Sequence, residues 1–286
     1  MDTPSGSPAR RADHQPLLLS LIIPAFNEEK RLPSSLRQLR TYLASRHYAA
    51  EVIVVDNGST DRTAEVVRQA SARWPELRLL QTRERGKGRA VREGLLAATG
   101  TYSFYCDADF SMPIEEIARF LPPQLPEVEL AIGTREGPGA RRVGEPLHRH
   151  LMGRVYNALV RRFALPGIQD SQCGFKCMRA DIGRQLARRL TIDGWGFDVE
   201  LLTIARLWGY RIVEVPIAWH YAPSSRIHPV LDSWRMTRDL FTVWRNAHAG
   251  RYAEPQAATT SAAIAIGETR YEAPASSVSG QGGETL

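Results

Sequence analysis

Residues 51–74 read EVIVVDNGSTDRTAEVVRQASARW: an apolar run that ends on a carboxylate, turns through Asn-Gly, and resumes with a different period. The β-branched run at 51–56 predicts a strand buried on both faces. Capping-type residues follow, and Ala64, Val67 and Ala70 then fall on one face of a helix. The unit recurs in both directions along the chain. Runs at 17–23 (LLLSLII), 77–81 (LRLLQ), 102–106 (YSFYC) and 128–133 (VELAIG) alternate with helical patterns, among them GKGRAVREGLLAATG, where Gly100 suits a helix end. Strand and helix in alternation predict an α/β fold, a mostly parallel sheet flanked by helices. Ligands of such sheets bind beyond the carboxyl ends of the strands.

The second half changes character. A loop rich in Gly, Pro and Arg (TREGPGARRVGEP) precedes LHRHLMGRVYNALVRRF at 147–163, with Leu147, Leu151, Val155 and Leu159 on one stripe and Arg149, Arg154, Arg161 and Arg162 on its other face. A short strand at GFKCM, a helix stopped by Gly209 and the alternating run RIVEVPIAW follow, and Pro216 marks that last run as an edge strand. A final amphipathic helix carries Trp234, Phe241 and Trp244. We expect a disordered lead-in at 1–16, the main domain at 17–228, an amphipathic helix at 229–249 and a disordered tail at 250–286.

The chain has 286 residues, enough to bury a real core. Its net charge of +6 rests on 37 basic residues, of which only three are lysines. Arginine's planar fork suits phosphate and carboxylate, so phosphorylated ligands, anionic lipid and nucleic acid are the partner classes to weigh, with genome composition as the plain alternative. No nucleic-acid recognition module is legible, and nucleic acid is not an expected partner. Three cysteines suit a reducing compartment, and Cys173 and Cys177 lack the second pair that a zinc site needs. The apolar run at 17–26 continues into NEEK without a cleavage site, and no run approaches the ~20 residues that span a bilayer. These features predict a cytoplasmic protein without a membrane span. Nothing in the sequence fixes an oligomeric state.

Several chemistries fail on their spacing. RGKGRAVREG is not a dinucleotide fingerprint, because Val91 takes the third glycine position, and not a P-loop, because Gly88 follows Lys87. No serine-hydrolase elbow or metal-spaced histidine pair occurs. FYCDADFSM at 104–112 is more informative. In extended chain Asp107 and Asp109 would point the same way at the end of the fourth strand. Adjacent anions need a cation or a proton between them, and Mg²⁺ or Mn²⁺ would resolve the conflict and could hold a diphosphate. The plain alternative is that Asp109 caps the turn before Ser111. Asp56, Asp61 and the acids of IIPAFNEE repeat the pattern on two more strands, toward the sheet edge where a nucleotide would lie.

Together, IIPAFNEEKRLPSSL, VIVVDNGSTDRT, RGKGRAVREGLLAATG and FYCDADFSMP resemble, in order and approximate spacing, the inverting family-two glycosyltransferases of GT-A fold, whose nucleotide-sugar domain is Rossmann-like. IQDSQCGFKCM, GWGFDVELLTIARLWGYRIVEVPIAW and SSRIHP narrow the resemblance to the dolichyl-phosphate β-glucosyltransferase type. It implies that Pro24, Ala25, Asn27 and Glu28 line a nucleotide pocket. Asp56 would lie at the uracil or ribose, with Gly58 allowing close approach and Asp61 and Lys87 nearby. It makes Asp107, with Ala108, the uridine-diphosphate contact, and Asp109 the metal ligand beside Asp107. Arg135 becomes a candidate for the acceptor phosphate, Gln172 stands beside the donor sugar, Asp198 matches the base of relatives that glycosylate hydroxyls, and Arg226 matches a phosphate-holding residue.

The implied activity is divalent-cation-dependent transfer of glucose from UDP-glucose to a polyprenyl or dolichyl phosphate at the cytoplasmic face of a membrane. A phosphate acceptor with a second pKa of about 6 arrives ionised and needs no base, so Asp198 can serve to orient a group instead. The family's eukaryotic members carry an N-terminal membrane anchor, and none is expected in this sequence. Segments 147–163 and 229–247 could lie in the membrane interface instead, or 147–163 could pack its stripe on the main domain. Other donors (GDP-mannose, UDP-N-acetylglucosamine), a soluble or small hydrophobic acceptor, and a non-catalytic nucleotide-sugar-binding protein stay open as alternatives.

Overall fold

The computed structural model describes residues 16–221 and 229–253. Arg226, most of the lead-in and the tail beyond Ala253 lie outside them. Elements follow in the order β1 (Leu17–Ala25), α1 (Leu32–Ala44), β2 (Ala49–Asn57), α2 (Thr63–Ser71), β3 (Leu77–Thr82), α3 (Lys87–Ala97), β4 (Tyr102–Cys106) and, after a 3₁₀ turn at Ile114–Phe120, β5 (Leu130–Thr134). Then come β6 (Arg141–Val143), α4 (Leu147–Phe163), β7 (Phe175–Arg179), α5 (Ala180–Ala187), α6 (Phe197–Leu207), β8 (Ile212–Pro216), β9 (Ala218–His220) and α7 (Pro229–His248).

Seven strands form one sheet in the order β3-β2-β1-β4-β7-β5-β8. All run parallel except β7, which pairs antiparallel with β4 and β5. The strand order turns around between β1 and β4, so the crevice at their carboxyl ends is the place where such sheets take ligands. Alternate residues feed two cores. Leu21, Ile23, Val52, Val54 and Phe104 meet α1, α2 and the 3₁₀ turn. Ile22, Ile53, Val55 and Tyr105 meet α3, α5 and α6 on the other face. Strands covered on both sides account for their unbroken apolar runs.

Three expectations change. RIVEVPIAW is two strands: Pro216 ends the edge strand β8, Ile217 bridges Thr134 and Arg141 through its backbone, and β9 pairs with β6 in a separate two-stranded sheet. The segment read as tail from residue 250 is seated through Ala253, with Tyr252 only 3% exposed. Helix α4 does not pack its stripe inward: Leu147 is 80%, Leu151 61% and Val155 57% exposed, while Asn157 and Val160 are buried.

Candidate functional site

A cleft of about 1080 Å³ opens at the carboxyl edge of the sheet. Pro24 and Ala25 at the end of β1, Asn57 at the end of β2 and Asp107 just after β4 line it. Because β7 runs against its neighbours, the segment that leads into it, Gln172 to Gly174, reaches the same edge. Gly174 is required there, since a Cβ would collide with the Asp107 carboxylate.

Asp107 and Asp109 both line the cleft, but not by strand alternation. Strand β4 ends at Cys106, and residues 107–110 turn, with Phe110 at φ 43°. Asp109 Oδ1 accepts the Ser111 N–H at 3.0 Å, so the turn-capping role is real. The protein's own cations already answer part of the charge conflict. Lys87 Nζ sits 2.6 Å from Asp107, and Arg31, held by Glu28, stands 3.9 Å from Asp109. Burial opposes the charge on Lys87, but Asp107 and Asp198 outweigh it and hold the ammonium above its ordinary value.

The basic glycine stretch places that lysine. At Gly86 and Gly88 a Cβ would strike Asp193 and Ile192, so glycine lets the start of α3 lie against the 192–193 loop. The Asp193 carbonyl caps the helix, accepting from Gly88 at 2.8 Å and Arg89 at 3.3 Å. Lys87 then emerges beneath Trp195, 4.9 Å from the ring centre, and reaches Asp107. The glycines of the stretch thus bring Lys87 to the cleft.

Asp198 opens α6 and also lines the cleft. Its Oδ1 accepts from the Tyr105 hydroxyl and from the ammonium of buried Lys176, each at 2.5 Å. Burial first, and Asp198 after it, push the Tyr105 phenol well above its usual value, which keeps it a donor. Gln172 faces the cleft with its Nε2 buried and without a hydrogen-bond partner.

Arginines dominate the other end. Arg135 grips Asp170 through Nε at 2.7 Å and Nη2 at 2.8 Å and lies over Trp219. Arg142 binds the Arg135 carbonyl, Glu136 and Glu145. Arg149 donates to the Tyr221 hydroxyl at 3.2 Å, and Arg235 and Arg238 of α7 complete that wall. Glu28, Ala108 and Lys87 also line the cleft.

Four expected pocket residues do not line it. Asn27, at φ 53°, accepts from the Thr60 N–H at 2.7 Å; Asp56 accepts from Ser59 and Gln81; Asp61 accepts from Thr63 and Glu29. Gly58, at φ 68°, makes the turn between them. These residues lock the β1 and β2 loops together behind the wall. Asn57 faces the cleft instead, its Oδ1 accepting the Gly86 N–H at 2.9 Å. Sequence reading missed Asn57, Arg31, Trp195, Arg149 and Lys176. Only Arg149 carried a signal, as part of the charged face of its helix.

Comparison with known proteins agrees with this architecture. Several solved structures of glucosyl-3-phosphoglycerate synthase from Mycobacterium tuberculosis share the fold: one in complex with UDP has a TM-score of 0.60 and 22% identity, covering 80% of each chain. Another, with Mn²⁺, UDP and phosphoglyceric acid, has a TM-score of 0.60 and 20% identity over 80% of this chain and 78% of that one. The dolichyl-phosphate beta-glucosyltransferase of Drosophila melanogaster is 34% identical over 247 residues, 81% of this chain and 76% of its own length. The human protein of that name is 30% identical over 240 residues, 79% of this chain and 74% of its own. The family model described as Glycosyl transferase family 2 matches residues 20–186, from β1 through most of α5, and the chain belongs to that family.

Proposed function

We propose that this protein transfers glucose from UDP-glucose to a polyprenyl or dolichyl phosphate at the cytoplasmic face of a membrane, with inversion and with a divalent ion. The carrying observation is the continuity of the cleft. It runs from the Lys87–Asp107 pair to Arg149 and Met152 of α4 and Leu231 and Arg235 of α7, two helices that expose Leu151, Val155 and Trp234 to solvent. A cleft charged at both ends and open toward apolar helix faces fits a phosphate that carries a long lipid chain.

The donor set suits Mg²⁺ or Mn²⁺. Such ions are usually held by one or two carboxylates plus substrate phosphates, and Asp107 and Asp109 supply the carboxylates. Among the described residues there is no group of three ligands that could cage an ion without substrate. When bound, the ion would neutralise charge on the leaving diphosphate.

The remaining steps belong to the chain. Lys87 adds a fixed positive charge beside the diphosphate position, preorganised by Asp107 and Trp195. The acceptor phosphate oxygen attacks the anomeric carbon from the face opposite UDP, the carbon–oxygen bond to UDP breaks, and the configuration inverts. Arginines at the far end orient the acceptor phosphate, with Arg135 braced by Asp170. No base is required, because the attacking oxygen is already ionised.

A soluble phosphate acceptor is the second reading, favoured by the same arginines. The test offers UDP-glucose, GDP-mannose and UDP-N-acetylglucosamine to a short polyprenyl phosphate and to phosphoglyceric acid, with and without a chelator. Chelator-sensitive transfer from UDP-glucose to the lipid phosphate is the expected outcome. Transfer to phosphoglyceric acid alone would replace the acceptor, and an untouched donor would overturn the reading.

A further inference from the structure

Lys176 lies on β7 with no exposed surface, and the chemistry described so far does not need it. Its ammonium makes two contacts that converge on the site: Asp198 Oδ1 at 2.5 Å and the Cys173 carbonyl at 2.6 Å. Tyr105 fills the rest of that carboxylate oxygen, also at 2.5 Å. Oδ2 of Asp198 takes no hydrogen bond from the described residues, and Asp198 is on the cleft wall. The Cys173 carbonyl ties the same ammonium to the segment that leads into β7. Lys176 and Tyr105 thus hold one oxygen of Asp198 and leave the other as an acceptor that the protein itself does not use.

We propose that Lys176 is a positioning residue that fixes Asp198 so that its Oδ2 accepts a hydrogen bond from a hydroxyl group of the donor hexose. This rests on the transferase reading above and names the part of the cleft that reads the sugar. A carboxylate oxygen on the cleft wall with no partner in the protein is an acceptor for a ligand hydroxyl. The ion pair fixes the orientation of the carboxylate, with Oδ1 engaged and Oδ2 toward the cleft. In a chain with only three lysines among 37 basic residues, position 176 keeps one.

Lys176→Met removes the charge while keeping most of the volume. Binding of UDP and of UDP-glucose is measured separately, together with kcat and KM for transfer. The expected result is UDP affinity within about twofold of the unmodified protein, with kcat/KM for UDP-glucose down at least about tenfold, as for one lost charge-assisted hydrogen bond. Unchanged kcat and KM would overturn the proposal. Because Lys176→Met leaves Asp198 unpaired, the double variant Lys176→Met, Asp198→Asn serves where the single one does not fold. If Lys176 acts through Asp198, the double variant matches Asp198→Asn alone. A further loss of about tenfold beyond Asp198→Asn would overturn it. Unmodified protein that binds neither UDP nor UDP-glucose would fail the transferase reading itself, a different result from an unaffected Lys176 variant.

Discussion

Asp170 stays charged with no exposed surface because Arg135 meets it with both arms of the guanidinium and its backbone N–H. Burial alone would raise this carboxylate; the arginine outweighs it and holds Asp170 at about 2. An unfolded Asp titrates near about 3.9, so the folded value is the lower one. The stabilisation is therefore complete above about pH 4 and is lost as the pH falls from there through about 2, an effect of about 2 kcal/mol. Urea midpoints between pH 2 and pH 6 check this: Asp170→Asn should flatten the acid slope in that window, and an unchanged slope would assign it to other groups. Residues of this kind define what a sequence conceals. Asp107 was legible from the strand that it follows, and the family resemblance pointed to Gln172 and Asp198, which also line the cleft. Lys176 reads as one more residue of a strand, since its partners lie 3 and 22 residues away along the chain. Asp56 and Asn57 differ for a similar reason: adjacent residues at a strand end face opposite ways, and only the placement of β3 and α3 decides which one lines the cleft.

Among the elements, helix α4 was legible in extent and not in orientation. Its bounds agree with the expected 147–163, and its apolar stripe has the expected members. Periodicity states that one face is apolar without saying what covers that face. The buried side proves to be Tyr156, Asn157 and Val160, with the Tyr156 hydroxyl reaching the Met236 carbonyl of α7 at 3.4 Å. The stripe is left outward beside Arg154 and Arg162, and Phe163 extends it at 49% exposed. Among the described residues, no helix is long and apolar enough to cross a membrane. We predict that Leu151→Glu with Val155→Glu abolishes binding to vesicles containing anionic lipid. Both side chains are exposed, so the stability change should stay within about 0.5 kcal/mol. Co-sedimentation and a thermal melt on the same sample check both halves. Vesicle binding that survives the pair of charges would detach α4 from the membrane and assign the contact to another surface of the protein.

At the scale of the molecule, the end of the described chain supports the far side of the cleft. Tyr252 is seated between α6 and α7, its hydroxyl donating to Glu200 Oε1 at 2.8 Å and its carbonyl accepting the Trp208 indole N–H at 2.8 Å. Glu200, itself without exposed surface, accepts the backbone N–H groups of Thr191 at 2.9 Å and Ile192 at 2.8 Å. The next carbonyl, of Asp193, caps α3 at Gly88, and the residue before Gly88 is Lys87, paired with Asp107. A continuous series of short contacts thus leads from the chain end to the cation beside the proposed diphosphate position. Composition alone assigned residues 250–253 to a tail, because one tyrosine in a polar stretch gives no period to read. Two consequences separate support from mere occupancy. Tyr252→Phe leaves the ring seated and removes the hydroxyl's bonds to the buried Glu200 carboxylate and from Asn246, so it should cost about 1–2 kcal/mol, read from denaturant midpoints. A chain ending at Ala249 loses the ring as well, and should weaken UDP binding along with stability, because the 191–193 loop that caps α3 is no longer held from behind. A chain ending at Ala253 keeps every one of these contacts and should bind UDP as the full chain does. If the shorter truncation melts earlier yet binds UDP with unchanged affinity, the chain end supports the fold and not the site.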